Sequence, residues 1–189
     1  MTIKQRQCLL FYLGYYNGKI DGKWGTLSAT GTREFQNDFG IAVTGKCNEE
    51  TEKALKHAVA YGMPEKKTDW KEIKHFKRSE FKCKCGKCGG FPVEPDMKLL
   101  EVLEKIRNHF DAPVTINSGV RCATHNKNVG GATGSQHLKG TAADIKVKGV
   151  EPKKVAEYAE TLLPNTGGIG RYGTFTHVDV RVNKSRWNG

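Results

Sequence analysis

Residues 176–182 read THVDVRV, a strict alternation with Val178, Val180 and Val182 on one side and His177, Asp179 and Arg181 on the other. Only an extended strand puts residues i and i+2 on one face. The segment therefore commits the chain to a sheet with an apolar face and a polar face that carries a histidine. A second segment, AADIKV (142–147), repeats the pattern: Ala143, Ile145 and Val147 share a face and Asp144 points the other way. It is fed by GGATGSQHLKGT (130–141), a run of small polar residues that holds His137 seven positions before Asp144. Gly-rich composition of this kind marks a tight turn.

The surrounding pattern completes a domain. Leu99, Leu103, Ile106 and Phe110 recur at helical spacing, which predicts an amphipathic helix over 95–110. PVTINS (113–118) predicts a strand. EPKKVAEYAETLL (151–163) predicts a helix, with Pro152 suited to its first turn. Residues 73–189 are therefore expected to form an α+β domain with a mostly antiparallel sheet. Residues 1–61 read differently, as a small all-α domain. Three short helices are expected, over 4–15, 28–39 and 49–61, the first two joined by the turn-rich GYYNGKIDGKWG. Gly31 falls inside the second helix and is expected to weaken it by about 1 kcal/mol relative to Ala. Between the domains, GMPEKKTDWKE (62–72) reads as a linker, with Trp70 packing on the second domain.

Two strands thus bring His137, Asp144 and His177 towards one place. Two imidazoles and one carboxylate are a common zinc set that leaves a fourth position for water. Bound zinc lowers the pKa of a water to about 7, which makes hydroxide available at neutral pH. Such chemistry needs a base and a cation for the developing oxyanion. Asp179 is the expected base, and Arg121 the expected cation or grip for a substrate carboxylate. His57, His75, His109 and His125 are read as scaffold, His125 being the next candidate base. Of the six cysteines, Cys8 and Cys47 are expected to be buried small hydrophobes. Three readings of Cys83, Cys85, Cys88 and Cys122 stay open: free thiols, disulfides, or the four thiolates of a structural zinc site.

The motifs carry a resemblance. SQHLKGTAAD (135–144) matches the S-x-H-x-x-G-x-A-x-D pattern of the zinc D-alanyl-D-alanine carboxypeptidase family. That family includes L-alanyl-D-glutamate endopeptidases and shares its zinc fold with the hedgehog signalling domain. INSGVRC (116–122) is similar to its S-G-x-R segment and HVDVR (177–181) to its closing metal-ligand strand. VGGATGSQH and GGIGRY are similar to its connecting loops. The resemblance spans roughly residues 75–187. It implies zinc on His137, Asp144 and His177, and a substrate role for Arg121 and Ser135. One departure stands out: where many members carry a catalytic acid or histidine, two or three residues before the last zinc histidine, this chain has Phe175 and Thr174. Residues 3–60 resemble the three-helix peptidoglycan-binding domain often joined to wall hydrolases. LGYYNGKIDGKWG and REFQNDFGIAVTGKCNEETEKAL carry its landmarks, although Gly31 and Thr32 replace its usual Ala-Val. Tyr15, Tyr16 and Trp24 are either sugar platforms or core.

The resemblance implies a zinc peptidase that cuts peptide stems of peptidoglycan, of carboxypeptidase or endopeptidase type, with the N-terminal domain tethering it to the wall. The net charge of +11 favours anionic wall polymers. A non-enzymatic wall-binding module with structural zinc is the alternative. A nucleic-acid binder built on the cysteines would leave the His–Asp–His set idle, so nucleic acid is not an expected partner. No apolar run is long enough for a membrane span. The stretch MTIKQRQCLLFYLGYY lacks the apolar length and cleavage site of a signal peptide. Action at the cell wall is therefore expected to follow lysis, as for a phage-type lysin, or trimming of a secreted form.

Overall fold

The computed structural model describes residues 1–63 and 68–189 and divides into two compact units, Met1–Glu65 and Lys66–Gly189. The expected linker over 62–72 lies partly outside the described residues.

The first unit contains three helices: α1 (Ile3–Tyr12), α2 (Thr26–Phe39) and α3 (Glu49–Tyr61). Leu10, Phe35 and Leu55, one from each, are fully buried at its centre. α1 opens with a capping box on Thr2, whose hydroxyl accepts from the Gln5 amide. It ends three residues earlier than expected, because Gly14 takes a left-handed φ of 81° and turns the chain. α3 is capped by Asn48, with Glu49, Glu50 and Glu52 in its first turn complementing the helix dipole. Gly31 has a reason to be there. A Cβ at this position would collide with the Tyr15 carbonyl, so the glycine permits close backbone approach, and its low helix propensity is the cost. Tyr16 belongs to the core, its hydroxyl donating to Lys19 O at 2.7 Å, whereas Tyr15 and Trp24 are half-buried against it. Cys47 is buried as expected, but Cys8 is exposed. It lies on the α1 face away from Gln7 and Leu10, the buried residues of that helix.

The second unit has a five-stranded sheet in the order β1-β2-β4-β3-β5. The strands are β1 (Val114–Ser118), β2 (Ala142–Val147), β3 (Gly168–Arg171), β4 (Thr176–Asp179) and β5 (Ser185–Asn188). All pairings are antiparallel except β3 with β5. Helices α4 (Met97–Phe110) and α6 (Pro152–Leu162) cover the apolar side. Leu99, Leu103 and Ile106 meet Val155, Ala156 and Ala159 over Ile116, Ala143, Ile145, Ile169 and Val178 in one core. Trp70 packs on this core, its ring 5.8 Å from that of Phe81. A short helix, α5 (Ala123–Asn128), follows the β1 loop. β4 is shorter than the alternation predicts. The strand ends at Asp179, although Val180 N–H still donates to Thr141 O at 3.0 Å and Arg181 O accepts from Gly167 at 2.8 Å, and the Arg181 N–H donates to the Asp179 carboxylate at 3.1 Å. Among the described residues, no helix is long and apolar enough to cross a membrane.

Candidate metal centre

The pleat that buries Ala143 and Ile145 sends Asp144 to the opposite face of the sheet. Register does the rest: Asp144 on β2 pairs directly with His177 on β4. His137 arrives from the other side on a single 3₁₀ turn (Gln136–Lys139), closed by Gly140 at φ 73°. Asp144 Oδ1 lies 3.3 Å from His137 Nε2 and 2.8 Å from His177 Nδ1. All three side chains are buried, and their ligand atoms lie within 4.8 Å of one another. The two imidazoles meet edge to face, with centroids 5.0 Å apart.

Each side chain is fixed from behind. His137 Nδ1 donates to the Gly119 carbonyl at 2.7 Å, which leaves Nε2 facing the cluster. Gly119 is required there, because a Cβ would sit 2.5 Å from the Phe81 carbonyl oxygen. The far oxygen of Asp144, Oδ2, accepts from Arg121 at 2.6 Å, and Arg121 Nε is held by Ser118 Oγ at 2.8 Å. His177 Nε2, on the opposite edge of the ring from Asp144, is 3.0 Å from Asp179 Oδ2. Asp179 is fully buried and accepts in addition from the Gly168 amide at 2.9 Å and from the Arg181 guanidinium.

These contacts set the charges. Burial raises the Asp144 pKa, but hydrogen bonds from His137 and His177 outweigh it and hold the carboxyl below its ordinary range. Asp179 behaves alike, with His177 and Arg181 overcoming burial. Burial opposes the His177 cation, yet the two carboxylates on its two nitrogens raise its pKa.

Of the residues expected at the site, the structure brings together His137, Asp144, His177, Asp179 and Arg121. Arg121 faces the Asp144 carboxylate, and Asp179 faces the outer edge of His177. Ser135 is half-buried two residues before His137 and makes no side-chain cap bond to the turn it precedes. Thr174 is exposed, and Phe175 stacks on Tyr172 with centroids 4.3 Å apart, so neither position supplies an acid or a base. His125 lies on α5 and its backbone N–H donates to Cys122 Sγ. His75 pairs with Glu104 and His109 stacks on Tyr158, both as scaffold. Two neighbours were not expected. Trp187 on β5 sits 5.0 Å from the His177 ring and donates to Tyr172 Oη at 3.1 Å. The Gly119 carbonyl is the other. A glycine in a loop after a strand is the sequence signal for the carbonyl, but nothing local to the last four residues marks Trp187.

A helix-backed, mostly antiparallel sheet thus presents a buried His–Asp–His set that could hold a metal ion. The chain belongs to the Peptidase M15 family, whose model matches residues 74–179. Residues 2–55 match the model of a peptidoglycan binding domain. The chain is 27% identical over 128 residues to the zinc D-Ala-D-Ala carboxypeptidase of Streptomyces albus G, covering 67% of this chain and 49% of that one. It is 36% identical over 86 residues to a Haemophilus influenzae protein named "Probable peptidoglycan L,D-endopeptidase MepK", covering 42% and 45%. Over 55 residues it is 42% identical to the spore cortex-lytic enzyme of Oceanobacillus iheyensis, covering 29% and 20%. The chain thus spans about half or less of the length of each of these curated relatives.

Proposed function

We propose that this protein is a zinc metallopeptidase that hydrolyses the peptide stems of bacterial peptidoglycan, acting at the cell wall as a carboxypeptidase or endopeptidase. The observation that carries the reading is the convergence of His137 Nε2, Asp144 Oδ1 and His177 Nδ1 in a chain of the Peptidase M15 family. The donor set fits the metal: two imidazole nitrogens and one carboxylate oxygen, all buried, suit zinc and leave a position for water. When bound, zinc supplies Lewis acidity and lowers the pKa of a water into the neutral range.

The chain's own residues hold this site in shape. Asp179 is a positioning residue. It accepts from His177 Nε2, fixes the tautomer that turns Nδ1 towards the metal position, and raises the basicity of that nitrogen. Its other contacts, to Gly168 and Arg181, occupy the lone pairs that a general base would need. Arg121 does the same for Asp144 by holding Oδ2 while Oδ1 faces the histidines. Ser135, at the mouth of the His137 turn, contacts substrate. The N-terminal unit, matched by the peptidoglycan binding domain model, keeps the peptidase near its substrate by tethering, and the basic surface favours anionic wall polymers.

The test is incubation of the full chain with purified peptidoglycan, followed by mass spectrometry of the released material. Stem-peptide cleavage that stops with chelator and returns with zinc is the expected result, and the product masses give the bond cut. The exposed Thr174 and the stacked Phe175 favour one second reading, a wall-binding module with structural zinc. Binding to the wall without any release by zinc-loaded protein would establish that reading instead.

A further inference from the structure

The second unit holds a second convergence of ligands. Cys83, Cys85, Cys88 and Cys122 place their four sulfurs within 4.8 Å of one another, and none is disulfide-bonded. Three come from one loop. Gly86, Gly89 and Gly90, with φ of 71°, 70° and 99°, fold that loop back on itself until the Cys83 amide donates to Gly90 O at 2.7 Å. The fourth comes from 34 residues further on in sequence, at the start of α5. A tetrahedral ion with zinc–sulfur bonds of about 2.3 Å separates its sulfurs by about 3.8 Å. The cluster has that scale already. An iron–sulfur cluster, which interposes more than one iron, spreads its four cysteines wider.

The backbone around the sulfurs is arranged for thiolates. Cys85 Sγ accepts from the Lys87 and Cys88 amides, both at 3.3 Å, across a C-x-x-C turn. Cys83 Sγ accepts from the Cys122 amide and Cys122 Sγ from the His125 amide, each at 3.3 Å. Four N–H groups thus point at three sulfurs. Such bonds disperse the negative charge of metal-bound thiolates and add little to a neutral disulfide. Four thiolates around a divalent ion carry two net negative charges, and Lys82, Lys84 and Lys87 are interleaved with the cysteines.

We propose that Cys83, Cys85, Cys88 and Cys122 bind a second, structural zinc ion, separate from the His137–Asp144–His177 centre. All four positions are filled by protein, so this ion has no open site for chemistry. Its role is to staple the 83–90 loop to the segment that carries Arg121. Arg121 is the neighbour of the ligand Cys122, and its amide donates to His137 O at 3.0 Å. The inference does not depend on the peptidase reading.

Metal analysis of the full chain, purified under reducing conditions with zinc supplied, tests it. Two zinc ions per chain are expected in the native protein. The pair Cys85→Ser/Cys88→Ser should lose one, and His177→Ala should lose the other. Cobalt-loaded protein should show intense thiolate-to-metal charge-transfer absorption in the near ultraviolet, retained in His177→Ala and absent in the cysteine pair. A thiol count on the native protein does not depend on any variant folding: chelator should expose four additional reactive cysteines. Zinc content left unchanged by the cysteine pair, no charge-transfer band, stoichiometric iron in place of zinc, or disulfides among these four residues in the reduced preparation would each overturn the proposal.

Discussion

Both units bury polar side chains completely, but they satisfy them in opposite ways. In the N-terminal unit, Gln36 is fully buried and its amide is consumed by its own fold. Nε2 donates to Lys46 O at 2.9 Å and Thr51 Oγ1 at 2.8 Å, and Oε1 accepts the Thr44 and Gly45 amides, both at 2.9 Å. Gln7 does the same for the α1–α2 loop, donating to Lys23 O at 3.0 Å and accepting from Gly22 at 2.9 Å. These are closed networks, neutral apart from the Asp21 carboxylate that accepts from Gln7 at 3.1 Å, and they pin turns. In the second unit, the buried polar groups include ionisable ones, and His137, Asp144 and His177 turn atoms on one another. Burying charge is expensive without compensation. A fold that gathers two imidazoles around one carboxylate, and backs each with a further hydrogen bond, is arranged to hold something between them. A closed buried network marks architecture, and one whose ligand atoms converge on one another marks a candidate metal site.

The sharpest way to break this comparison is to remove one member of the open network. His177→Ala deletes one of three ligands and leaves Asp144 and Asp179 without their shared partner. Metal polarisation is worth several kcal/mol in the transition state, and each 1.4 kcal/mol is tenfold. Turnover on stem peptides should therefore fall by about 10³-fold or more. Zinc at this centre should be lost, as read by metal content. Retained activity would show that the convergence is architectural after all.

Gln36→Ala is the matching cut in the closed network. It removes the acceptor of the Thr44 and Gly45 amides, the second of which is buried, and the donor to Lys46 O and Thr51 Oγ1. Each buried unsatisfied group costs about 1–3 kcal/mol, so a loss on the order of 3 kcal/mol is expected in the N-terminal unit. For a unit of this size that lowers its melting temperature by about 10–20 °C. Zinc content and the rate on a small soluble stem peptide should not change, because the metal-centre residues all lie in the other unit. The rate on intact wall should drop once that unit is unfolded.

The sequence exposed the open network more readily than its supports, and the reason is the range of the contacts. Period-two alternation at 142–147 and 176–182 is local, so the sequence by itself places Asp144, His177 and Asp179 on the polar faces of their strands. The α+β arrangement followed from the same local patterns. Which edge of the His177 ring Asp179 would meet depends on the pairing of Asp144 with His177 across two strands, and no local pattern encodes that register. Asp179 is thus legible in the sequence as a neighbour of the candidate site, while its place behind His177 is not. The cysteines show the same limit, since Cys122 joins Cys83 only when β1 returns beside the 83–90 loop. Gly31 was misjudged from propensity alone, because the Tyr15 carbonyl that requires it lies 16 residues away.

Asp179→Asn probes the boundary between the two kinds of network, since Asp179 belongs to the fold on one side and to the site on the other. A base role and a positioning role predict different losses. Loss of a carboxylate behind a metal histidine typically costs about 10–100-fold in metal affinity or activity. Here the loss should fall on zinc affinity, with turnover per bound zinc close to that of the native protein at saturating zinc. Competition with a chromogenic chelator gives the affinity, and rate and metal content on one preparation give the rest. Full zinc occupancy with about 10²-fold slower turnover would instead identify Asp179 as the general base.

The smallest effect should come from the charged rim of the closed network. The Gln7 and Gln36 amides do not titrate, so acid reaches the N-terminal unit through carboxylates such as Asp21, which accepts from Gln7, and Glu52. Hydrogen bonds from Arg6 and from the Met1 ammonium hold the Glu52 carboxyl below its ordinary pKa. A lowered folded-state pKa means the stabilisation is fully present above the unfolded value of about 4.3 and fades as pH falls through the folded value. Glu52→Gln should therefore lower the melting temperature of this unit by only a few degrees at neutral pH, since rim ion pairs contribute little. The gap between variant and native protein should close in acid, once the native carboxyl is itself neutral. Melting curves followed by helical circular dichroism at pH 7 and at acid pH give the comparison. A gap that persists unchanged in acid would place the contribution of Glu52 in packing rather than charge, and would make the rim as insensitive to protons as the amides it surrounds.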